Sequence, residues 1–350
     1  MGETNQGSKK VTLQDIAIKT GYTKNTVSRA LRNKPEISET TRKLINDTAK
    51  DMGYITNTIA GALRSGVTRT IAIILGDISN PHFGIMAKEV EIAARRHSYH
   101  TFVLNTDENY AIEEQAVYSA LSKKVDGIIL CPTQKSSEDI TLLKKNGIPF
   151  VLWGRHFAAE PETNYVICND FKGGYLATQH LIERGHRDIL CLTGPGYISS
   201  ARERLAGYQK ALKEQGIGYC PDLIRETSVT TGACRQVIQK ALEAKVKFTA
   251  VFAFSDMLAW EAIYTLNKHG IRVPHDVGVI GFDNIQSRMY LPFPLTSISP
   301  SKKRMARRAV DILMRKMNNP KSDQYFHEVI EPSIVIREST SRSKFGNVEF

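Results

Sequence analysis

The chain holds 350 residues, with 47 Lys and Arg against 36 Asp and Glu and a formal net charge of +11. That length exceeds one compact core and suits a small head followed by one or two α/β units, and the basic balance points to an acidic partner such as nucleic acid. No run approaches the ~18 apolar residues of a bilayer span, no leader-like segment opens the chain, and the scattered cysteines lack CxxC spacing, so a cytoplasmic protein without metal or cofactor is expected.

Residues 1–10 are expected to be a disordered arm. From Val11 a pattern begins. Thr12 is placed to cap a first helix, Asp15 completes a capping-box spacing, and Leu13, Ile16 and Ala17 form an apolar stripe. Gly21 supplies a tight turn and Thr23 caps a second helix. On that second helix Thr26, Val27, Ala30 and Leu31 fall on one side, while Lys24, Asn25, Ser28 and Arg29 fall on the other. One packed side and one hydrogen-bonding side near the N-terminus is what reading base edges in a major groove requires. Ser38–Met52 reads as a third helix, capped by Ser38 and stopped by Gly53, with Leu44, Ile45, Ala49 and Met52 as its inner stripe. Residues 1–66 contain eleven Lys and Arg against six Asp and Glu, so the positive surplus gathers on this head.

From Thr70 the texture alternates between strand and helix. Short β-rich runs at 71–75, 101–104, 127–131 and 150–153 are separated by helical patterns at 84–96, 113–124 and 137–146. A second series places strands at 165–168, 189–192, 250–254 and 277–281, with helices at 171–184, 200–215, 232–243 and 256–269. Apolar strands alternating with helices imply parallel sheets covered on both faces, here two doubly wound subdomains. A ligand cleft is expected beyond the carboxyl ends of their strands. The run Gly194-Pro195-Gly196-Tyr197-Ile198-Ser199 nearly spells a dinucleotide fingerprint. A dinucleotide-dependent enzyme is therefore a remote alternative, weakened by Ser199 at the third glycine position and by a proline that removes an N–H from the loop.

Several ordered motifs carry a resemblance. They are Val11-Thr12-Leu13 with Asp15-Ile16-Ala17, Thr26-Val27-Ser28-Arg29, Gly53-Tyr54-Ile55 with Asn57, Asp77-Ile78-Ser79-Asn80-Pro81, Arg204-Leu205-Ala206-Gly207-Tyr208, Gly281-Phe282-Asp283-Asn284 and Pro294-Leu295-Thr296-Ser297-Ile298. Over about residues 10–340 the chain resembles the LacI/GalR (lactose repressor) family of bacterial transcription regulators. The resemblance implies a helix-turn-helix DNA-binding head at 11–56 and a hinge helix at 57–66. An effector-binding and dimerisation domain follows at 67–340, periplasmic-binding-protein-like, and then a tail at 341–350. Its two subdomains are expected at about 67–165 with 300–325 and 166–298 with 327–340, the last helix (301–317) and the final strand (328–336) crossing back between them.

It further implies a dimeric repressor on a pseudo-palindromic operator, controlled by a small sugar-like effector. The alternative is a member answering to a partner protein or a nucleoside-type ligand. By resemblance, Lys24, Asn25 and Arg29 select bases, with Arg29 bidentate to guanine, while Thr12, Thr23, Thr26, Ser28 and Arg32 join the DNA contacts, chiefly as backbone clamps. Asn57 would cap the hinge helix and Leu63 would wedge into the minor groove; Thr56 stands where the family usually has proline. In the cleft, Arg204 would anchor the effector, Asp283 would accept from its hydroxyls, and His82 and Phe83 would stack on it, with Arg155, Ser200 and Ser255 at the rim. Thr227 falls near a position that many members fill with an aromatic, which argues against a purine or small monosaccharide and leaves room for a larger sugar.

Overall fold

The computed structural model describes residues 10–55, 66–229, 232–289 and 293–341. The expected disordered arm, the hinge helix with Asn57 and Leu63, and the tail fall on 1–9, 56–65 and 342–350, outside the described residues. Two compact units make up the chain, Met1–Thr68 and Arg69–Phe350.

In the first unit, α1 (Leu13–Thr20), α2 (Lys24–Leu31) and α3 (Glu39–Asp51) close on a small core of Ile16, Ala17, Val27, Ala30, Ile45 and Ala49. Side chains set each start. Asp15 accepts the Thr12 backbone N–H at 2.8 Å while the Thr12 hydroxyl caps α1. Thr23 accepts from Thr26 N–H at 3.1 Å, and Ser38 from Thr41 N–H at 3.3 Å. α1 stops at Gly21, whose φ of +74° lies in the left-handed region that a Cβ disfavours, and the chain turns directly into α2. Leu44 departs from expectation. It is 49% exposed, because α3 turns Ile45 and Ala49 inward and Leu44 sits a helical step (about 100°) away from them.

The second unit is built on two six-stranded sheets. The first comprises β1 (Thr70–Leu75), β2 (His100–Asn105), β3 (Gly127–Leu130), β4 (Phe150–Trp153), β5 (Tyr165–Cys168) and β11 (His327–Ile330), in the order β11-β5-β4-β3-β1-β2 and parallel throughout. The second comprises β6 (Ile189–Thr193), β7 (Ile224–Glu226), β8 (Ala250–Ala253), β9 (Gly278–Phe282), β10 (Thr296–Ser299) and β12 (Ser333–Val335), in the order β12-β10-β9-β8-β6-β7, with only β12 antiparallel. β3, β4, β6, β8 and β9 are buried along their whole length, as strands covered on both faces must be.

Helices cover the first sheet with α4 (Pro81–Arg95) and α11 (Lys302–Asn318) on one face and α5 (Tyr110–Ser122) and α6 (Glu138–Lys145) on the other. The second sheet carries α7 (Asp170–Glu183) and α8 (Ser199–Glu214) on one face, and α9 (Ala233–Glu243) and α10 (Asp256–Lys268) on the other. α7 and α8 cross in backbone contact. A Cβ on Gly174 would meet Arg204 O at 2.1 Å, and one on Gly207 would meet Phe171 O at 2.1 Å.

Two expectations are corrected. The strand at 165–168 does not open the second series: it pairs with β4 and with β11, and Tyr165 N–H donates to Phe326 O at 2.9 Å. The expected final strand at 328–336 is two strands, because Glu331-Pro332 interrupts it and carries the chain from β11 in one sheet to β12 in the other. The chain therefore passes between lobes after β5, between β10 and α11, and between β11 and β12. Asn169 Nδ2 donates to Glu331 Oε1 at 2.8 Å and ties the first and third passages together. β5 and β11 thus belong to the first lobe, where the expected division put 166–168 and 327–330 in the second. Cys131, Cys168, Cys191 and Cys234 are buried free thiols and Cys220 an exposed one. Among the described residues no helix is long and apolar enough to cross a membrane.

Candidate DNA-reading face and effector cleft

On the head, the expected contact residues sort by what they already do. The hydroxyls of Thr12 and Thr23 are spent on capping, and Thr26 Oγ1 lies 2.9 Å from Thr23 Oγ1. Ser28 Oγ accepts from Arg32 Nη2 at 2.8 Å, so these two form one unit at the end of α2. Lys24 and Asn25 are exposed, with no side-chain hydrogen bond or ion pair among the described residues. Arg29 is exposed but engaged: its Nη2 lies 3.1 Å from Glu36 Oε1. Sequence reasoning overlooked Glu36, which lies past the helix in the turn before α3 and carries no periodic signal.

In the second unit the seven expected cleft residues, His82, Phe83, Arg155, Ser200, Arg204, Ser255 and Asp283, line one cavity between the lobes that is open to solvent. Each sits just beyond the carboxyl end of a strand or in the opening turns of the helix that follows, where such sheets place ligands. Asn80 caps α4 and accepts from His82 N–H at 3.0 Å, which brings His82 and Phe83 to the cleft on the first turn after β1. Arg155 follows β4. It meets Glu108 fork to fork at 2.7 and 2.8 Å and donates to Pro132 O at 3.0 Å. The close crossing of α7 and α8 sets Arg204 against Asp170: Nε donates to Asp170 Oδ1 at 2.7 Å and Nη1 to Phe254 O at 2.5 Å. The guanidinium carbon lies 3.4 Å from the Phe282 ring centroid and 4.5 Å from that of Phe254, a cation held between two aromatic faces.

Asp283 adopts φ +109°, a strained backbone for a residue with a side chain. Its N–H donates to Ile298 O at 2.8 Å, and Lys302 Nζ donates to its carbonyl. Its carboxylate lies 3.1 Å from His82 Nδ1 across the lobes, a close contact that is ionic only when His82 is protonated and is not an aligned hydrogen bond. Burial pushes the Asp283 carboxyl up, but His82, Arg204 and Lys302 outweigh it and hold it below the ordinary range. Burial also lowers His82 in spite of Asp283. Beneath them, burial and the neighbouring Asp283 charge push Asp256 up to about 8. Ser255 caps α10, its Oγ accepting from Leu258 N–H at 3.3 Å, and so serves structure first.

Sequence reasoning overlooked several lining residues. Asp77 and Asn80 belong to the Asp77-Ile78-Ser79-Asn80-Pro81 run. Glu108, Met86, Val229 and Phe254 gave no such sign. Thr227 is buried, its N–H donating to Thr193 O at 2.9 Å, and Val229 lines that end of the cleft. Two further contacts join the lobes. Gln134 Oε1 accepts from Ser199 N–H at 2.8 Å while its Nε2 donates to His156 O at 2.6 Å, and Arg288 pairs with Glu89. The glycine-rich loop before α8 is occupied by protein groups: Gly196 N–H donates to Glu226 Oε2 at 3.1 Å and Ser199 N–H to Gln134. A carboxylate stands where a pyrophosphate would.

A head built to present α2 and a two-lobed α/β unit with an interlobe cleft together define a ligand-controlled DNA-binding protein. The comparisons agree. Residues 12–57 match the family described as bacterial regulatory proteins, lacI family, and residues 68–335 match periplasmic binding proteins and sugar binding domain of LacI family. The HTH-type transcriptional repressor PurR of Aliivibrio salmonicida (strain LFI1238) is 31% identical over 334 residues, 95% of this chain and 99% of its own length. The transcriptional regulator CelR in complex with cellobiose superposes with a TM-score of 0.71 at 27% identity, covering 94% of this chain and 100% of that one. The lac repressor dimer bound to operator and the anti-inducer ONPF shares the fold, with a TM-score of 0.82 at 24% identity over 95% of this chain and 99% of that one. The chain belongs to the LacI family: it is a DNA-binding transcriptional regulator with a ligand-binding effector domain, not an enzyme.

Proposed function

We propose that the chain acts in the cytoplasm as a dimeric repressor whose grip on a pseudo-palindromic operator is set by a neutral, hydroxyl-rich sugar in the interlobe cleft. Two-fold symmetry in the protein asks for two-fold symmetry in the site. Lys24, Asn25 and Arg29 read base edges, and Ser28 with Arg32 clamps the backbone. The observation that carries the ligand class is the state of the two cleft arginines. Arg155 is paired fork to fork with Glu108 and also donates to Pro132 O, and Arg204 is paired with Asp170 and donates to Phe254 O, so each cation is already neutralised by a buried carboxylate. Little unpaired positive charge is left for an anionic ligand. What faces the cavity instead is a set of acceptors (Asp77, Glu108, Asp283) beside the Phe83 and Phe254 rings. Acceptors with an aromatic face suit a polyol, whose hydroxyls donate while its C–H face stacks. The cellobiose held by the related CelR is of this class.

Thermal-shift titration with mono- and disaccharides and their 6-phosphates tests the reading, because a ligand that binds the native state raises its melting temperature by mass action. A neutral sugar should shift the midpoint and its phosphate should not. A shift by phosphates or nucleotides alone would reject the assignment. Sugar and operator must also alter each other's affinity by the same factor.

A further inference from the structure

Glu36 stands on the head as a carboxylate beside the residue assigned to guanine. Its place is built. The turn between α2 and α3 is pinned by Lys34 N–H to Arg29 O at 3.1 Å and by Ile37 N–H to Lys34 O at 3.2 Å. Arg42 Nη2, on α3, donates to Lys34 O at 3.1 Å and to Ile37 O at 3.0 Å, and Ile37 packs on the head core. Pro35 restricts the backbone just before Glu36. The Glu36 carboxyl is held below the ordinary range by its own backbone N–H and then by Arg29, so it carries its charge at neutral pH.

A negative charge at this position opposes phosphate binding, and an ion pair so exposed adds little stability. Its value lies in geometry. A guanidinium is a planar fork of five N–H donors on a long, flexible stem. The exposed ionic contact at 3.1 Å is not an aligned hydrogen bond; Glu36 draws the guanidinium by charge and so narrows the directions in which its N–H groups point. A fork narrowed in this way fits the paired O6 and N7 acceptors of guanine, whereas a free fork also settles on phosphates and on single-acceptor edges.

We infer that Glu36 is a positioning residue for base recognition: it holds the Arg29 guanidinium for a guanine edge and trades overall affinity for discrimination. This rests on the reading of Arg29 proposed above. The test uses the full-length chain and duplexes that it selects from a random pool, re-measured with each base pair substituted in turn. Four proteins are compared at one salt concentration: wild type, Arg29→Ala, Glu36→Gln and the double variant.

Arg29→Ala should erase the preference at one base pair. Glu36→Gln should weaken that same preference by roughly 3- to 10-fold, a fraction of what a bidentate contact supplies, while binding random duplex more tightly. In the double variant Glu36→Gln should change every duplex by one common factor. Glu36→Asp keeps the charge but withdraws it by a methylene, and should lose discrimination without gaining affinity for random duplex. If Glu36→Gln tightens all duplexes equally, or alters the preference at a different base pair, the positioning role is overturned. If Arg29→Ala itself weakens all duplexes equally, the assignment of Arg29 to a base fails, and the role of Glu36 falls with it.

Discussion

The reading face of the head and the interlobe cleft hold their polar side chains in opposite ways. On α2, Lys24 and Asn25 project into solvent and Arg29 touches one exposed carboxylate. In the cleft, Arg155, Arg204 and Asp283 are buried and already matched by Glu108, Asp170 and His82. On the proposed reading Lys24, Asn25 and Arg29 complete their hydrogen bonds on DNA, and as exposed side chains they contribute little to folding. The cleft completes them internally in a low-dielectric setting, where each group's removal strands another. Recognition and stability are separable on the head and entangled in the cleft.

Arg204→Ala tests the entangled side and should have the largest effect. It leaves Asp170 buried without its cation and removes the group between Phe254 and Phe282, so a destabilisation of about 3–5 kcal/mol is expected in urea melts, together with loss of the sugar-induced thermal shift. Replacing both partners, Arg204→Leu with Asp170→Asn, should recover much of the stability but none of the ligand response. A double variant that still responds to sugar would remove Arg204 from the binding assignment.

Arg29→Ala tests the separable side. The melting temperature should not move measurably, while discrimination at one base pair falls by about 1–3 kcal/mol, read by competition binding against singly substituted duplexes. A drop in melting temperature comparable to that of Arg204→Ala would break the contrast between the two regions.

Legibility in the sequence followed the same division. Helix starts were readable because Thr12, Thr23 and Ser38 each sit ahead of a periodic stripe and use their own hydroxyls as caps. Apolar periodicity places the start of α4 at 84, three residues late, although Asn80-Pro81 is a cap followed by a first-turn proline. Partner choice between strands was not readable. Tyr165–Cys168 is apolar and short enough for either sheet, and its place depends on β11, a strand far along the chain. Glu108 was invisible for a similar reason: it lies on an irregular turn after β2, with φ +55°, and only the fold brings it to Arg155. Motif residues could be assigned to the cleft, but their charge partners could not, because ion pairs across 47 and 34 residues leave no periodic trace.

The smallest effect concerns the polar interior behind the cleft. Glu113 accepts from Thr133 N–H at 2.7 Å, beside the Pro132 carbonyl that receives Arg155. Burial, and then its contact with Asp139, push the Glu113 carboxyl up to about 9 from an ordinary 4.5. Between those values the folded chain holds a proton that the unfolded chain has released, so the stability from this group is complete below about 4.5 and is lost as pH rises towards about 9. Asp256 adds in the same direction between 3.8 and about 8. His82 and His156, both lowered by burial, act oppositely, but only below their ordinary 6.5. Above that the carboxyls lower stability with rising pH, and Lys302, which burial lowers from 10.5, opposes them only towards the alkaline end. Urea melts from pH 6.5 to 9 should therefore show stability falling with pH, with roughly 1.4 kcal/mol per pH unit as the ceiling for each of the two carboxyls. Glu113→Gln keeps an acceptor for Thr133 and a donor for Asp139 without a titrating proton, so its slope should be flatter than that of the wild type. Equal slopes in the two proteins would mean that Glu113 is ionised in the folded chain. On the head the same scan should leave operator discrimination by Arg29 unchanged, because a guanidinium keeps its charge throughout that range.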